Sequence, residues 1–211
     1  MDPAVRGFLH SPANPNGNAL ILTHGAGSDC TAPLLVALGE TFAGHGYVVL
    51  RCDLPFRQER RTGPPFPGNA ARDRAGLGNA IAALRKNAGR IFLGGHSYGG
   101  RQATMLCVAE PDLVAGLLLL SYPLHPPRKP EKLRIQHLPN LRTPSLFVHG
   151  TRDPFGSIEE MTNALQLVPA KTDLMTVEGA GHDLGFKGKQ RAVELPASIL
   201  ARFEILLRAD S

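Results

Sequence analysis

Ser97 stands in Gly95-His96-Ser97-Tyr98-Gly99, with a short apolar run, Arg90 to Gly94, before it and a helical pattern, Gly100 to Glu110, after it. A serine at a sharp strand-to-helix turn is lifted above a sheet, and the helix that follows turns its positive end toward an oxygen reacting there. Only small residues fit on either side of so strained a turn, and Gly95 and Gly99 flank this one. The chemistry such a residue performs is nucleophilic attack on an acyl carbon. A glycine-rich turn around a nucleotide phosphate is the alternative. The stretch lacks the glycine pattern of a dinucleotide fingerprint, and no Gly-Lys-Ser/Thr follows.

A serine hydroxyl is a poor nucleophile at neutral pH and needs a base. Of the eight histidines, His24, His96 and His149 abut strand ends beside glycines and read as structural. His182, in Gly179-Ala180-Gly181-His182-Asp183, follows the last strand, and its small neighbours let a loop carry the imidazole back over the sheet. It is the expected base. The imidazole in turn needs an orienting carboxylate. Asp153, after the penultimate strand, is the first choice; Asp183, adjacent to the histidine, and Asp53, at a strand end before the serine, are its rivals. Two backbone N–H groups must hold the oxyanion of the tetrahedral intermediate. Tyr98, directly after the serine, and Ala26, in His24-Gly25-Ala26-Gly27, are expected to supply them, with Gly27 as the alternative to Ala26.

These side chains must be carried by strands and helices in alternation, and the chain supplies them. Strands are expected at Ala19–Thr23, Tyr47–Cys52, Arg90–Gly94, Gly116–Ser121, Ser145–His149 and Asp173–Val177. Helices are expected at Ala32–Gly44, Arg72–Asn87, Gly100–Glu110, Ser157–Val168 and Gln190–Arg208. Short runs of strong β-formers separated by helices predict an α/β fold: a doubly wound, mostly parallel sheet covered on both faces. Val5–His10 could add an antiparallel edge strand. Two proline-rich stretches, Leu54–Ala70 and Tyr122–Pro144, interrupt the alternation and read as shaped loops lining the crevice at the strand ends.

The length, 211 residues, suits one domain over 1–211. No apolar run reaches the roughly 20 residues of a membrane helix. Met1–Arg6 has no apolar signal core, and three scattered cysteines suit a reducing compartment, so a cytoplasmic location is expected. The net charge of +5 includes basic runs at Arg57–Arg61, Arg128-Lys129 and Lys187–Arg191. Without interleaved aromatic residues these read as solvated surface, and neither a nucleic-acid nor a membrane partner is expected. Arg101, four residues after Ser97, and the Arg57–Arg61 run could bias a site toward anionic compounds. There is no His-Glu-x-x-His and no Cys-x-x-Cys, so no metal or cofactor is expected.

With these motifs the chain resembles the α/β-hydrolase superfamily over nearly its full length, in which serine, aspartate and histidine follow one another in this order. More narrowly it is similar to the small hydrolase-like family of testis-expressed protein thirty and NSL-complex subunit three, and in compactness to dienelactone hydrolases. The narrower likeness rests on Leu22–Gly27, Phe92–Arg101, Ser121-Tyr122-Pro123-Leu124-His125-Pro126, Lys132-Leu133-Arg134 and Leu146–Asp153. The resemblance implies a triad on Ser97, Asp153 and His182. The expected activity is hydrolysis of a small soluble carboxylester or thioester. The alternative is a protein-interaction module on the same scaffold.

Overall fold

The computed structural model describes residues 2–86, 88–186 and 194–208. Seven strands form one sheet in the order β1-β3-β2-β4-β5-β6-β7. They are β1 (Gly7–His10), β2 (Asn18–Thr23), β3 (Val48–Cys52), β4 (Arg90–His96), β5 (Gly116–Leu120), β6 (Ser145–Gly150) and β7 (Thr172–Val177). Only β1 runs antiparallel, along the outer edge of β3, with Gly7 opposite Cys52. The doubly wound, mostly parallel α/β sheet expected from the sequence is the observed fold.

Successive residues of a strand face opposite sides of the sheet. In β2, Ala19 and Ile21 join one core while Leu20 and Leu22 join the other. The same split in β5 sends Leu117 and Leu119 one way and Leu118 and Leu120 the other. The first core is covered by α3 (Asn69–Leu84), α4 (Tyr98–Ala109) and α5 (Ile158–Leu165) through Leu77, Leu106 and Met161. The second is covered by α1 (Pro33–Gly44) and α6 (Leu195–Leu207), where Phe42, Phe92 and Phe203 meet edge to face. Because the central strands are buried on both faces, they read as nearly continuous apolar runs.

Two elements differ from expectation. Leu54–Ala70 contains a short helix, α2 (Pro55–Glu59), and α3 starts at Asn69 rather than at Arg72. Pro55 opens α2, where the missing N–H costs nothing. The Phe56 N–H then donates to the buried carboxylate of Asp73, seventeen residues along the chain. That long-range bond gives a five-residue helix its support. Tyr122–Pro144 carries only a single 3-10 turn, Leu138–Asn140. Of the expected last helix, residues 190–193 lie outside the described residues, as does 187–191, the basic run beside it. Among the described residues no helix is long and apolar enough to cross a membrane.

Candidate active site

The parallel strands end along one edge of the sheet, so the loops after β2, β4, β5, β6 and β7 converge there. Ser97 lies between β4 and α4 with φ 51° and ψ −114°, a left-handed conformation that a residue with a side chain adopts only when its surroundings impose it. Its N–H donates to the Leu120 carbonyl at 2.8 Å, which anchors the turn to β5. The flanking glycines are a matter of space. A Cβ on Gly95 would come within 2.4 Å of the Gly100 nitrogen, and one on Gly99 within 2.6 Å of the His24 carbonyl.

His182 Nε2 lies 2.8 Å from Ser97 Oγ, and its Nδ1 lies 2.8 Å and 3.0 Å from the two oxygens of Asp153. An ionised carboxylate only accepts, so Nδ1 carries the proton and Nε2 is left to accept from the serine hydroxyl. Asp153 is enclosed. Burial alone would raise its pKa, but the bonds from His182 and from the Phe155 N–H, with His149 nearby, hold it below the usual carboxylate range. Phe155 stacks on the His182 ring with centroids 4.1 Å apart, which fixes the imidazole plane. The loops bearing Asp153 and His182 are sewn together: the Arg152 N–H donates to the Ala180 carbonyl at 2.9 Å, and the Gly179 N–H to Thr151 Oγ1 at 2.9 Å. A Cβ on Gly150 would stand 2.3 Å from the Ala180 oxygen, so glycine there permits the approach.

The rival carboxylates are engaged elsewhere. Asp53 accepts from the Cys30 N–H at 2.8 Å and organises the turn after β3. Asp183 lines the cavity and accepts from the Gly185 N–H at 3.2 Å. The strand-end histidines hold backbone. His96 Nε2 donates to the His182 carbonyl at 2.7 Å, and burial, followed by the neighbouring His182, lowers its pKa to about 4. His149 donates to the Gly156 carbonyl at 2.8 Å, bracing the loop that carries Asp153. His24 donates through Nδ1 to the Gly25 carbonyl and accepts the Leu54 N–H on Nε2, and burial above all lowers its pKa.

The N–H groups of Ala26 and Tyr98 have no acceptor among the described residues, and both residues line a cavity of about 540 Å³ that opens on Ser97 and His182. Gly27 lines it too. Pro64 and Pro65 from one proline-rich stretch and Pro123 and Arg134 from the other complete its walls.

Phe155 and Asp73 matter to this geometry and gave no signal in the sequence reading, whereas Arg134 and Arg57 were noted there without the roles they take here. Phe155 orients His182. Asp73 accepts from the Tyr98 hydroxyl at 2.7 Å. Arg134 enters the cavity from the loop after β5. Arg57 corrects an expectation. Instead of lying on a solvated or substrate-steering surface, it is 6 % exposed and donates to the carbonyls of Ala26, Ser28, Arg60 and Gly63. A buried guanidinium with its donors satisfied by carbonyls is a brace, and this one fixes the Ala26 peptide. Its neighbour Arg60 is likewise turned to the Pro64 carbonyl and stacks over Phe66.

A mostly parallel sheet with an antiparallel edge strand, and a strained serine at the end of a central strand, is the α/β-hydrolase fold. The chain belongs to this family: the model of the alpha/beta hydrolase domain matches residues 16–199. Among curated proteins, cutinase est2 of Thermobifida alba is 28% identical over 150 residues, 69% of this chain and 46% of that protein, so the match spans about half of the relative's length. Est1E of Butyrivibrio proteoclasticus, solved with ferulic acid bound, superposes with a TM-score of 0.74 at 19% identity, covering 96% of this chain and 95% of that one. A dienelactone hydrolase from Anabaena variabilis gives 0.72 at 20% identity over 99% and 100% of the two chains. Likeness at such low identity speaks for the fold.

Proposed function

We propose that this α/β-hydrolase is a serine hydrolase of small, soluble acyl compounds, carboxylesters or thioesters, acting through Ser97, His182 and Asp153. The observation that carries this reading is the unbroken hydrogen-bonded line from Ser97 Oγ through His182 to the buried Asp153 carboxylate, open to the cavity at its serine end. Ser97 Oγ attacks the acyl carbon as its proton passes to His182 Nε2. The N–H groups of Tyr98 and Ala26 hold the oxyanion, and Asp153 stabilises the imidazolium. The tetrahedral intermediate collapses, and His182 protonates the departing alcohol or thiol. Water then gives a proton to His182 and attacks the acyl-serine. The second tetrahedral species expels Ser97, which takes the proton back, and the acid leaves.

The proline-rich walls form a rim without the apolar helical insertion of a lipase cap, which favours short acyl chains. The same reading includes one domain over 1–211, a cytoplasmic location consistent with three free buried cysteines, and no cofactor. Tyr122-Pro123-Leu124-His125 supports the narrower kinship with the family of testis-expressed protein thirty.

The test is labelling with a fluorophosphonate probe and a screen of acyl esters of graded length. Wild type is expected to label and to cleave short esters fastest, with no jump at the micellar concentration. Folded Ser97→Ala is expected to do neither. Ester turnover by that variant would remove Ser97 from its role, and an unlabelled, inactive wild type would favour the interaction module.

A further inference from the structure

Two arginines in the cavity are not explained by acyl transfer. Arg101 lies one helical turn beyond Ser97 on α4, roughly 6 Å along the axis at 1.5 Å per residue. Arg134 reaches the same cavity from the stretch after β5. Among the described residues neither pairs with a carboxylate, and the enclosed Arg101 Nε has no hydrogen-bond partner. The two charges sense one another: burial, and then Arg101, press the Arg134 guanidinium below its ordinary pKa. The other polar groups nearby do not neutralise them. His137, lowered to about 4 by burial and by Arg101, is neutral and bonds Thr104 Oγ1 at 2.9 Å. Asp73 is taken by Tyr98 and Phe56, and Arg74 is turned to Gln102 at 3.0 Å. Asp183 also lines the cavity, but among the described residues no ion pair joins it to either arginine.

Half-buried guanidinium groups without counter-charges are costly, and a planar carboxylate is the ligand their forks match. We infer that Arg101 and Arg134 form a carboxylate subsite, so that the substrate is a short acyl compound bearing a second, anionic carboxylate a few carbons from the carbonyl that Ser97 attacks. The inference rests on the proposed hydrolase reading and adds to it the substrate class. Arg57, by contrast, is spent on backbone carbonyls and takes no part.

The experiment compares monomethyl succinate with methyl succinamate, which differ by a carboxylate in place of a carboxamide. Wild type is expected to favour the anion in kcat/KM by at least about tenfold, and Arg101→Gln or Arg134→Gln to lower that ratio by about tenfold to a hundredfold, the range of one charge-assisted bond. Taking the ratio within each preparation cancels any general loss of activity. Arg101→Lys, which keeps the charge, is expected to retain part of the preference. Binding of succinate to wild type and variants, by calorimetry, reads the subsite without turnover, and there the variants are expected to bind at least about tenfold more weakly. Equal kcat/KM for the two esters in wild type, or succinate binding that the variants leave unchanged, would overturn the subsite. Fluorophosphonate labelling of Ser97 judges the hydrolase reading separately, because the probe carries no carboxylate.

Discussion

Asp153→Asn tests the proposed triad most sharply, because the structure dictates how the amide must sit. In the native site Oδ1 accepts the Phe155 N–H at 2.9 Å, and Oδ2 faces His182 Nδ1 at 2.8 Å. An asparagine can keep the Phe155 bond only by placing its oxygen at the Oδ1 position. Its NH2 then takes the position nearer His182 Nδ1, at 2.8 Å against 3.0 Å for the oxygen, which favours Nδ1 as acceptor and a ring proton on Nε2, facing Ser97. The reverse orientation sets the NH2 against the Phe155 N–H, donor against donor. The favoured rotamer therefore holds the imidazole in the tautomer that cannot take the serine proton. The same tautomer error costs roughly ten-thousand-fold in kcat in a well-studied triad, about 5 kcal/mol at 1.36 kcal/mol per decade. The fold should tolerate the change, since the backbone bond survives. The assay is steady-state hydrolysis of a short chromogenic ester beside a thermal melt, with Asp183→Asn as the parallel variant expected to lose far less. A folded Asp153→Asn enzyme within tenfold of wild type would refute the reasoning, and a more damaging Asp183→Asn would reverse the assignment of the orienting acid.

Gly150→Ala should lower activity more than stability, because its Cβ would meet the Ala180 and Gly181 carbonyls at 2.3 and 2.6 Å and push away the loop that carries His182; unchanged turnover would count against that coupling. Arg57→Lys can satisfy only some of the four carbonyls that the guanidinium holds, so a loss of roughly 1–3 kcal/mol is expected together with a fall in kcat rather than a rise in KM. Stability should fall as pH drops from about 6.5 toward 4. Burial holds His96 and His137 at about 4 in the folded chain, so the unfolded chain binds more protons across that window and is favoured as pH falls. The two histidines together could contribute several kcal/mol, partly offset by the buried Asp73, whose pKa is raised and whose contribution has the opposite sign. Denaturant melts at pH 7 and pH 4.5 with the same midpoint would contradict it.

What the sequence by itself determined is whatever short stretches enforce. The central strands announce themselves because burial on both faces leaves them no polar positions, as in Gly116-Leu117-Leu118-Leu119-Leu120. The serine turn is legible because its strain is local: Gly95, Gly99 and Gly100 are packed too closely for any Cβ. The start of α5 is legible for the same reason, since Ser157 and Glu160 satisfy each other's backbone N–H within one turn. Tertiary structure decided what depends on distant partners. Helix α2 exists because Asp73, on another helix, accepts its Phe56 N–H, and a run of prolines and arginines carries no trace of that bond. Arg57 and Arg101 are the same residue type, yet one is consumed by four carbonyls and the other opens on the cavity. The order of residues along the chain favoured Asp153 over Asp183 and Asp53, but the contact with His182 Nδ1 itself depends on which loops the sheet brings together. The sheet does so by ending its parallel strands along one edge, where residues 97, 153 and 182, far apart in the chain, come within hydrogen-bond reach.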